Sequence, residues 1–340
     1  MLTLSKIAKE LGVCKATVSL VLNGKAKENR ISEATIQKVS AYCRERNYMP
    51  NIHASRMRQE VVQNIMVLLN ASGSNFGEES TFIDYNVNRI LEGVSAKAEE
   101  CGYSVTLRRF YDNMDPQKLF NCFRNREVDG MIYYGLDIPE EWLKVINAEK
   151  SRIVGVGITP GKVPCVNVDN YSISCELTRH LLANGRKTFF YLKGTEASHP
   201  SRERFRGFTD TLRAAGISFD PDTMSRNGQF SEKQGRAITA ELIATGKLPD
   251  TIVCANDKMA VGAISALAEA NIQVPETVAV AGADNIALGR YLSPGLTTFD
   301  NCAGDLGKSA AELLIKLIRA VGNTDDILLP STLIIRGSTA

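Results

Sequence analysis

From Ile65 onward the chain repeats one pattern, a short apolar run followed by a longer stretch with helical spacing. The apolar runs fall at residues 65–69, 104–107, 130–134, 153–156, 188–192, 251–255 and 278–282. Runs this short, separated by helices, form parallel sheets whose two faces are covered by those helices. There are enough units for two doubly wound halves. Ligands in such folds bind at the carboxyl ends of the strands, so a cleft between the halves is the natural site.

The first sixty residues follow other rules. Thr3 is placed to cap a helix carrying Leu4, Ile7, Ala8 and Leu11 on one side, and Gly12 ends it. After Val13-Cys14 a second helix turns Val18, Val21 and Leu22 inward and leaves Lys15, Ala16, Ser19 and Leu20 outside. Ser32 caps a third, from about Glu33 to Arg46, with Ile36, Val39 and Cys43 facing in and Arg44 and Arg46 facing out. Two short helices around a glycine turn make a helix-turn-helix. Charge divides the chain at the same place. Residues 1–60 hold 11 Lys/Arg and 5 Asp/Glu, leaving 29 basic and 33 acidic residues in the remainder. A basic arm on an acidic body points to a polyanionic partner for the arm.

Enzyme chemistry finds little support. His53, His180 and His199 lie far apart and have no metal-ligand spacing with each other or with cysteine, so they read as surface or capping residues. The eight cysteines form no C-x-x-C pair and read as reduced thiols of a cytoplasmic protein. The run Gly155-Val156-Gly157-Ile158-Thr159-Pro160-Gly161 has the wrong glycine spacing for a dinucleotide loop, and Pro160 stands where the following helix would run. No phosphate-binding loop, nucleophile elbow, secretory signal or membrane-length apolar run is found. The expectation is therefore no catalytic residue, no metal, no cofactor and no membrane partner. Two other classes share this fold type: a solute-binding protein, disfavoured by the helical N-terminus, and a sugar- or nucleotide-modifying enzyme, which a turnover assay would reveal.

Lys15-Ala16-Thr17-Val18-Ser19-Leu20-Val21-Leu22-Asn23-Gly24 resembles the recognition helix of the LacI/GalR family of bacterial transcriptional regulators, and Tyr48-Met49-Pro50-Asn51 resembles the segment before its hinge helix. The resemblance continues through Val166-Asn167-Val168-Asp169-Asn170, 202–208, 255–260, 292–298 and 335–339. It implies an α/β protein with an all-α helix-turn-helix headpiece (1–49), a hinge helix and linker (50–62), and a periplasmic-binding-protein-like domain of two interleaved, doubly wound parallel-sheet subdomains for effector binding and dimerisation (63–340). The function implied is that of a sequence-specific DNA-binding repressor, a cytoplasmic homodimer on double-stranded operator DNA, controlled by a small molecule.

Carried over by position, Lys15, Ala16 and Leu20 read bases: Lys15 donates to guanine, while Ala16 and Leu20 pack on thymine methyls. Thr3, Thr17, Ser19, Asn23 and Tyr48 meet the DNA backbone, with helix capping and surface polarity as the other readings. Asn51, Arg56 and Met57 enter the minor groove at the hinge, Met57 as the wedge; a plain linker is the alternative. Tyr134, Arg204, Phe230, Asn256, Asp284 and Asn301 fall on effector contacts. An Arg fork, a carboxylate, two amides and an aromatic face suit a carbohydrate or another polyhydroxylated ring. The competing reading pairs Arg204 with Asp284, puts Phe230 in the core and makes Tyr134 a core or lid residue. Relatives usually carry an aromatic and two Asp at Ala283-Asp284-Asn285, an Asp at Gly157 and Asn-Pro-Phe at Asp84-Tyr85-Asn86; these departures imply a pocket wider on that side.

If Met57 is the wedge, Met57→Ala weakens operator binding and spares effector affinity. Gel-shift and effector titrations on one preparation measure both, and equal loss of the two contradicts the assignment.

Overall fold

The computed structural model describes residues 2–22, 24, 26–46, 48, 61–70, 84–111 and 114–340. The chain forms two compact units, residues 1–62 and 63–340.

The first unit is helical. α1 (Leu4–Leu11) begins at Thr3, whose hydroxyl accepts from the Lys6 amide at 3.3 Å, and ends at Gly12 with φ +66°. α2 (Lys15–Leu22) follows. Its cap is a thiol: Cys14 Sγ accepts from the Thr17 amide at 3.3 Å and lies 3.0 Å from Thr17 Oγ1. α3 (Glu33–Glu45) starts at Ser32, which accepts from the Thr35 amide. Ile7, Ala8, Leu11, Val18, Val39 and Cys43 close the core, with Leu4, Val21, Leu22 and Tyr48 packed at its margin. Lys38 Nζ donates to the Leu11 carbonyl at 3.0 Å, which satisfies an acceptor that α1 leaves open at its end.

The second unit contains two parallel sheets. β1 (Asn64–Asn70), α4 (Tyr85–Glu100), β2 (Ser104–Phe110), α5 (Pro116–Arg124), β3 (Gly130–Tyr134), α6 (Glu140–Ala148), β4 (Ile153–Val156) and β5 (Cys165–Val168) build the N-terminal half. The chain then crosses over. α7 (Asn170–Ala183), β6 (Phe189–Lys193), α8 (His199–Ala214), β7 (Ser225–Asn227), α9 (Glu232–Ala244), β8 (Thr251–Cys254), α10 (Asp257–Glu269) and β9 (Ala279–Ala281) make the C-terminal half. After β10 (Thr298–Asp300) it returns, so that α11 (Ala303–Arg319) and β11 (Ile327–Leu329) complete the first half before β12 (Thr332–Ile334) pairs antiparallel with β10. The sheet orders are β11-β5-β4-β3-β1-β2 and β7-β6-β8-β9.

All seven apolar runs form strands, with ends that differ by one to three residues. The sixth strand starts at Phe189 because Thr188 is spent on an Asp250 turn, its amide donating to the carboxylate at 3.1 Å. β5, β7, β10, β11 and β12 were not foreseen as strands: Asn167 interrupts β5, Ser225-Arg226-Asn227 is a polar edge, and the last three have three residues each. Ile65 to Leu69 are buried on both faces, as a central parallel strand requires. In the N-terminal half, Phe110, Tyr133 and Trp142 stack within 4.9–6.4 Å between ring centroids. Among the described residues all eight cysteines are unpaired, and no helix is long and apolar enough to cross a membrane.

Glycine lets three helix pairs touch backbone to backbone. A Cβ on Gly307 of α11 would lie 2.1 Å from the Ile90 carbonyl oxygen of α4, and one on Gly93 of α4 would lie 2.0 Å from the Gly304 oxygen. Gly262 of α10 meets Glu232 of α9 in the same way, as Gly207 of α8 meets Tyr171 of α7. In an open helix Gly→Ala stabilises by about 1 kcal/mol. At Gly307 the sign reverses, because the methyl must push two backbones apart: Gly307→Ala is expected to lower stability by about 1–3 kcal/mol, read from urea unfolding midpoints. A stabilised variant would show that the two helices do not cross there.

Candidate functional site

The carboxyl ends of the strands face a cleft between the two halves, with about 840 Å³ of open space including its mouth. Tyr134 ends β3 and Val156 ends β4; Asn170 begins α7 after β5; Asn256 follows β8 and caps α10; Asp284 follows β9 and Asn301 follows β10. Asp84, the cap of α4, stands with Asn86 on another wall. All six residues expected at an effector site, Tyr134, Arg204, Phe230, Asn256, Asp284 and Asn301, line this one cleft.

Arg204 organises it. The side chain is 6% exposed. Its Nε donates to Asn170 Oδ1 at 2.7 Å, Nη1 donates to the Ala255 carbonyl at 2.6 Å, and Nη2 lies 3.3 Å from Asp284 Oδ1. The guanidinium also sits 5.0 Å from the Phe299 ring centroid. Asn301 Nδ2 donates to Asp284 Oδ1 at 3.1 Å, and Asp284 itself holds φ +113°. The Arg204–Asp284 pair therefore exists, within the C-terminal half rather than across the cleft.

Asn256 lines the cleft and also serves its wall. Its Oδ1 accepts from the Met259 amide at 3.0 Å and its Nδ2 donates to the Phe230 carbonyl at 3.2 Å, so half of the amide's hydrogen-bonding capacity holds the wall and Phe230 in place. Phe230 has φ +55°, and a Cβ on Gly194 would meet its ring at 2.1 Å. The ring packs on the half's core while lining the cleft, so the core and site readings both hold.

Asp84, Asn86, Asn170 and Ser198 also line the cleft and were not among the expected contacts. Asp84-Tyr85-Asn86 stood out in the sequence only as a departure; in the structure Asp84 and Asn86 give that wall polar groups. Asn170 was visible within its motif, whose alternating apolar residues end in an Asp-Asn helix start.

Burial pushes the Asp284 carboxyl up to about 6, against the pull of Arg204 and the hydrogen bond from Asn86. Asp257, fully buried, is pushed up to about 7 by burial and by Asp284, even though it accepts from Thr298 Oγ1 at 2.6 Å and the Ile286 amide at 2.9 Å. Burial together with Asp84 and Asp284 holds the proton on the Tyr134 phenol.

The halves also meet through an ion-pair network. Arg202 Nη2 donates to Asp137 Oδ2 and to Thr159 Oγ1, both at 2.7 Å, and the Asp137 amide donates to the Ala197 carbonyl at 3.0 Å.

In the helical unit, Lys15 and Ala16 are exposed at the start of α2, and Leu20 is half-buried. The Thr3 hydroxyl caps α1, the Thr17 hydroxyl faces the Cys14 thiol, Ser19 is half-buried, and Tyr48 rests on the core. Asn23, Asn51, Arg56 and Met57 lie outside the described residues. His180 Nε2 lies 3.0 Å from Thr339 Oγ1, and His199 begins α8. Among the described residues no group of three metal-ligating side chains converges.

Residues 3–51 match the family described as bacterial regulatory proteins, lacI family, and residues 178–339 match the periplasmic binding protein-like domain. The HTH-type transcriptional repressor PurR of Histophilus somni strain 2336 is 27% identical over 334 residues, 96% of each chain. The HTH-type transcriptional repressor CytR of Escherichia coli strain K12 is 26% identical over 346 residues, 99% of this chain and 96% of that one. In fold, the chain is similar to the Lac repressor dimer bound to operator and the anti-inducer ONPF, with TM-score 0.85 at 24% identity over 99% of both chains. It is also similar to a CelR–cellobiose complex, with TM-score 0.74 at 24% identity over 99% of this chain and 100% of that one.

Asp257 and Asp284 keep their protons to higher pH in the folded chain than in the unfolded one, where carboxylates titrate near 4. Their contribution to stability is therefore largest at acid pH and is lost as pH rises through about 6 to 7. Asp257→Asn removes one of the two groups and should flatten the fall in unfolding free energy between pH 5 and 8, by at most about 1.4 kcal/mol per pH unit. Urea titrations at several pH values measure the slope; an unchanged slope would show that Asp257 ionises normally.

Proposed function

The chain belongs to the lacI family of bacterial regulatory proteins, and from that premise we propose that it is a sequence-specific transcriptional repressor whose hold on operator DNA is set by a sugar or similar polyhydroxylated ring in the cleft. The observation that carries the proposal is the convergence of Arg204, Asp284 and Asn301 beside the Phe230 ring, in a chain that also presents Lys15 and Ala16 on a helix-turn-helix. The PurR and CytR relatives are named repressors, and the CelR relative was solved with cellobiose. The chain is a regulator, not an enzyme.

As a homodimer the protein presents two headpieces to the half-sites of a pseudo-palindromic operator. The first residues of α2 enter the major groove, Lys15 donating to guanine while Ala16 and Leu20 contact thymine methyls. Thr3, Thr17, Ser19, Asn23 and Tyr48 hold the backbone, and Asn51, Arg56 and Met57 meet the minor groove at the centre. Residues 1–49 form the DNA-binding domain, 50–62 the hinge, and 63–340 the effector and dimerisation domain. Operator DNA places the protein's work in the cytoplasm. Effector binding shifts closure of the two halves and with it the population that binds DNA.

Selection of bound duplexes from a random library by the full-length protein tests the reading, with a pseudo-palindromic site as the expected result. No enrichment by a folded protein would overturn it. With that site in hand, Lys15→Ala should weaken operator binding by about 1–3 kcal/mol and leave effector affinity alone, while Asp284→Ala should do the reverse.

A further inference from the structure

The charge balance of the cleft narrows the effector class, on the premise argued above that the cleft takes a polyhydroxylated molecule. Among the described lining residues two are carboxylates, Asp84 and Asp284, and one is a cation, Arg204. That cation already spends three of its five N–H groups within the wall: its Nε, Nη1 and Nη2 engage Asn170, Ala255 and Asp284. Turning it towards an anionic ligand would strand the buried acceptors it serves.

Among the described residues, the α4 side of the cleft is rich in acceptors. Asn86 gives its amide hydrogen bond to Asp284, and its Oδ1 is buried without a hydrogen-bond partner. A buried acceptor left bare costs about 1–3 kcal/mol, so a ligand that brings a donor there recovers that energy. Asp84 lies on the same wall, and Tyr134 lies within the field of both carboxylates. Burial has also left Asp284 only partly compensated, as its upward displacement to about 6 shows.

We propose that the effector is an amino-substituted sugar whose ammonium is received between Asp84, Asp284 and Asn86 Oδ1, with its ring against Phe230. Sugar phosphates and sugar acids are excluded by the same carboxylates. The groups that govern the pH response come from each wall: Asp84 on α4, Tyr134 on β3, Arg204 on α8, Asp284 after β9, and Asp257 buried behind it. As Asp284 ionises through about 6, an ammonium ligand gains a partner, whereas a neutral one gains nothing.

Calorimetric titration of the full chain with D-glucose and D-galactose, their 2-amino-2-deoxy forms and their 6-phosphates tests the proposal. The amino sugars should bind at least about tenfold more tightly than the parent hexoses, the gain of one hydrogen bond to a charged group, and the phosphates more weakly than either. Affinity for the amino sugars should rise from pH 5 to pH 7, while that for the parents stays flat. Asp84→Asn keeps the α4 cap and should narrow the preference to within about threefold. Parent hexoses or phosphates binding as tightly as the amines would overturn this inference and leave the sugar reading intact. If none of the six binds a chain that still selects its operator, the sugar reading falls together with it.

Discussion

A buried guanidinium is the constraint around which the second unit, residues 63–340, is arranged. Left unpaired, a charge as enclosed as Arg204 costs several kcal/mol, so every element near it must bring a partner. The start of α7 brings Asn170, the end of β8 brings the Ala255 carbonyl, the turn after β9 brings Asp284, and β10 brings the Phe299 ring. Those four segments come from widely separated parts of the chain. The requirement to satisfy one cation thus gathers the strand ends into a single concave surface.

Glycine decides how closely the helices beside that surface can approach. Gly207 lies one turn beyond Arg204 on α8 and lets that helix rest on Tyr171 of α7, close enough for Ser174 Oγ to donate to the Arg204 carbonyl at 2.6 Å. Without the close approach, Arg204 Nε would not reach Asn170. The Gly93, Gly304 and Gly307 contact does the same for α4 and α11, and so fixes Asp84 and Asn86 relative to Asn301. The position of polar groups in the cleft is therefore a packing result as much as an electrostatic one.

The parts of this arrangement readable from sequence are those set by local rules. Apolar runs located seven of the strands, and capping chemistry located the three helices of the headpiece, because Thr3, Gly12 and Ser32 act on their immediate neighbours. β5 and β7 escaped because Asn167 interrupts the apolar run of one and the other is a polar edge. The six expected effector positions rested on motifs, and the structure brings them together. Which of them still has hydrogen bonds to offer a ligand depends on contacts across the fold. Asn256 spends one donor and one acceptor on Phe230 and Met259, while Asn86, read only as a departure, carries the bare acceptor. Cys14 shows the same limit on a smaller scale: a thiol is a weak cap, and its pairing with Thr17 is a matter of geometry.

The two halves are joined firmly enough to form a site and loosely enough to be moved by what fills it. Arg202 with Asp137 is a half-exposed pair, its side chains 36% and 32% accessible, and pairs of that kind contribute about 0–1 kcal/mol. Thr159, the Asp137–Ala197 backbone bond and the Asn86 hydrogen bond to Asp284 add to it, and roughly 5.5 kcal/mol takes a two-state equilibrium from 1:99 to 99:1. A ligand that bridges the Asp84 wall of one half and the Asp284 wall of the other contacts both halves only when they are closed. Its differential affinity for the closed state, rather than any single latch, is then what sets the balance between conformations.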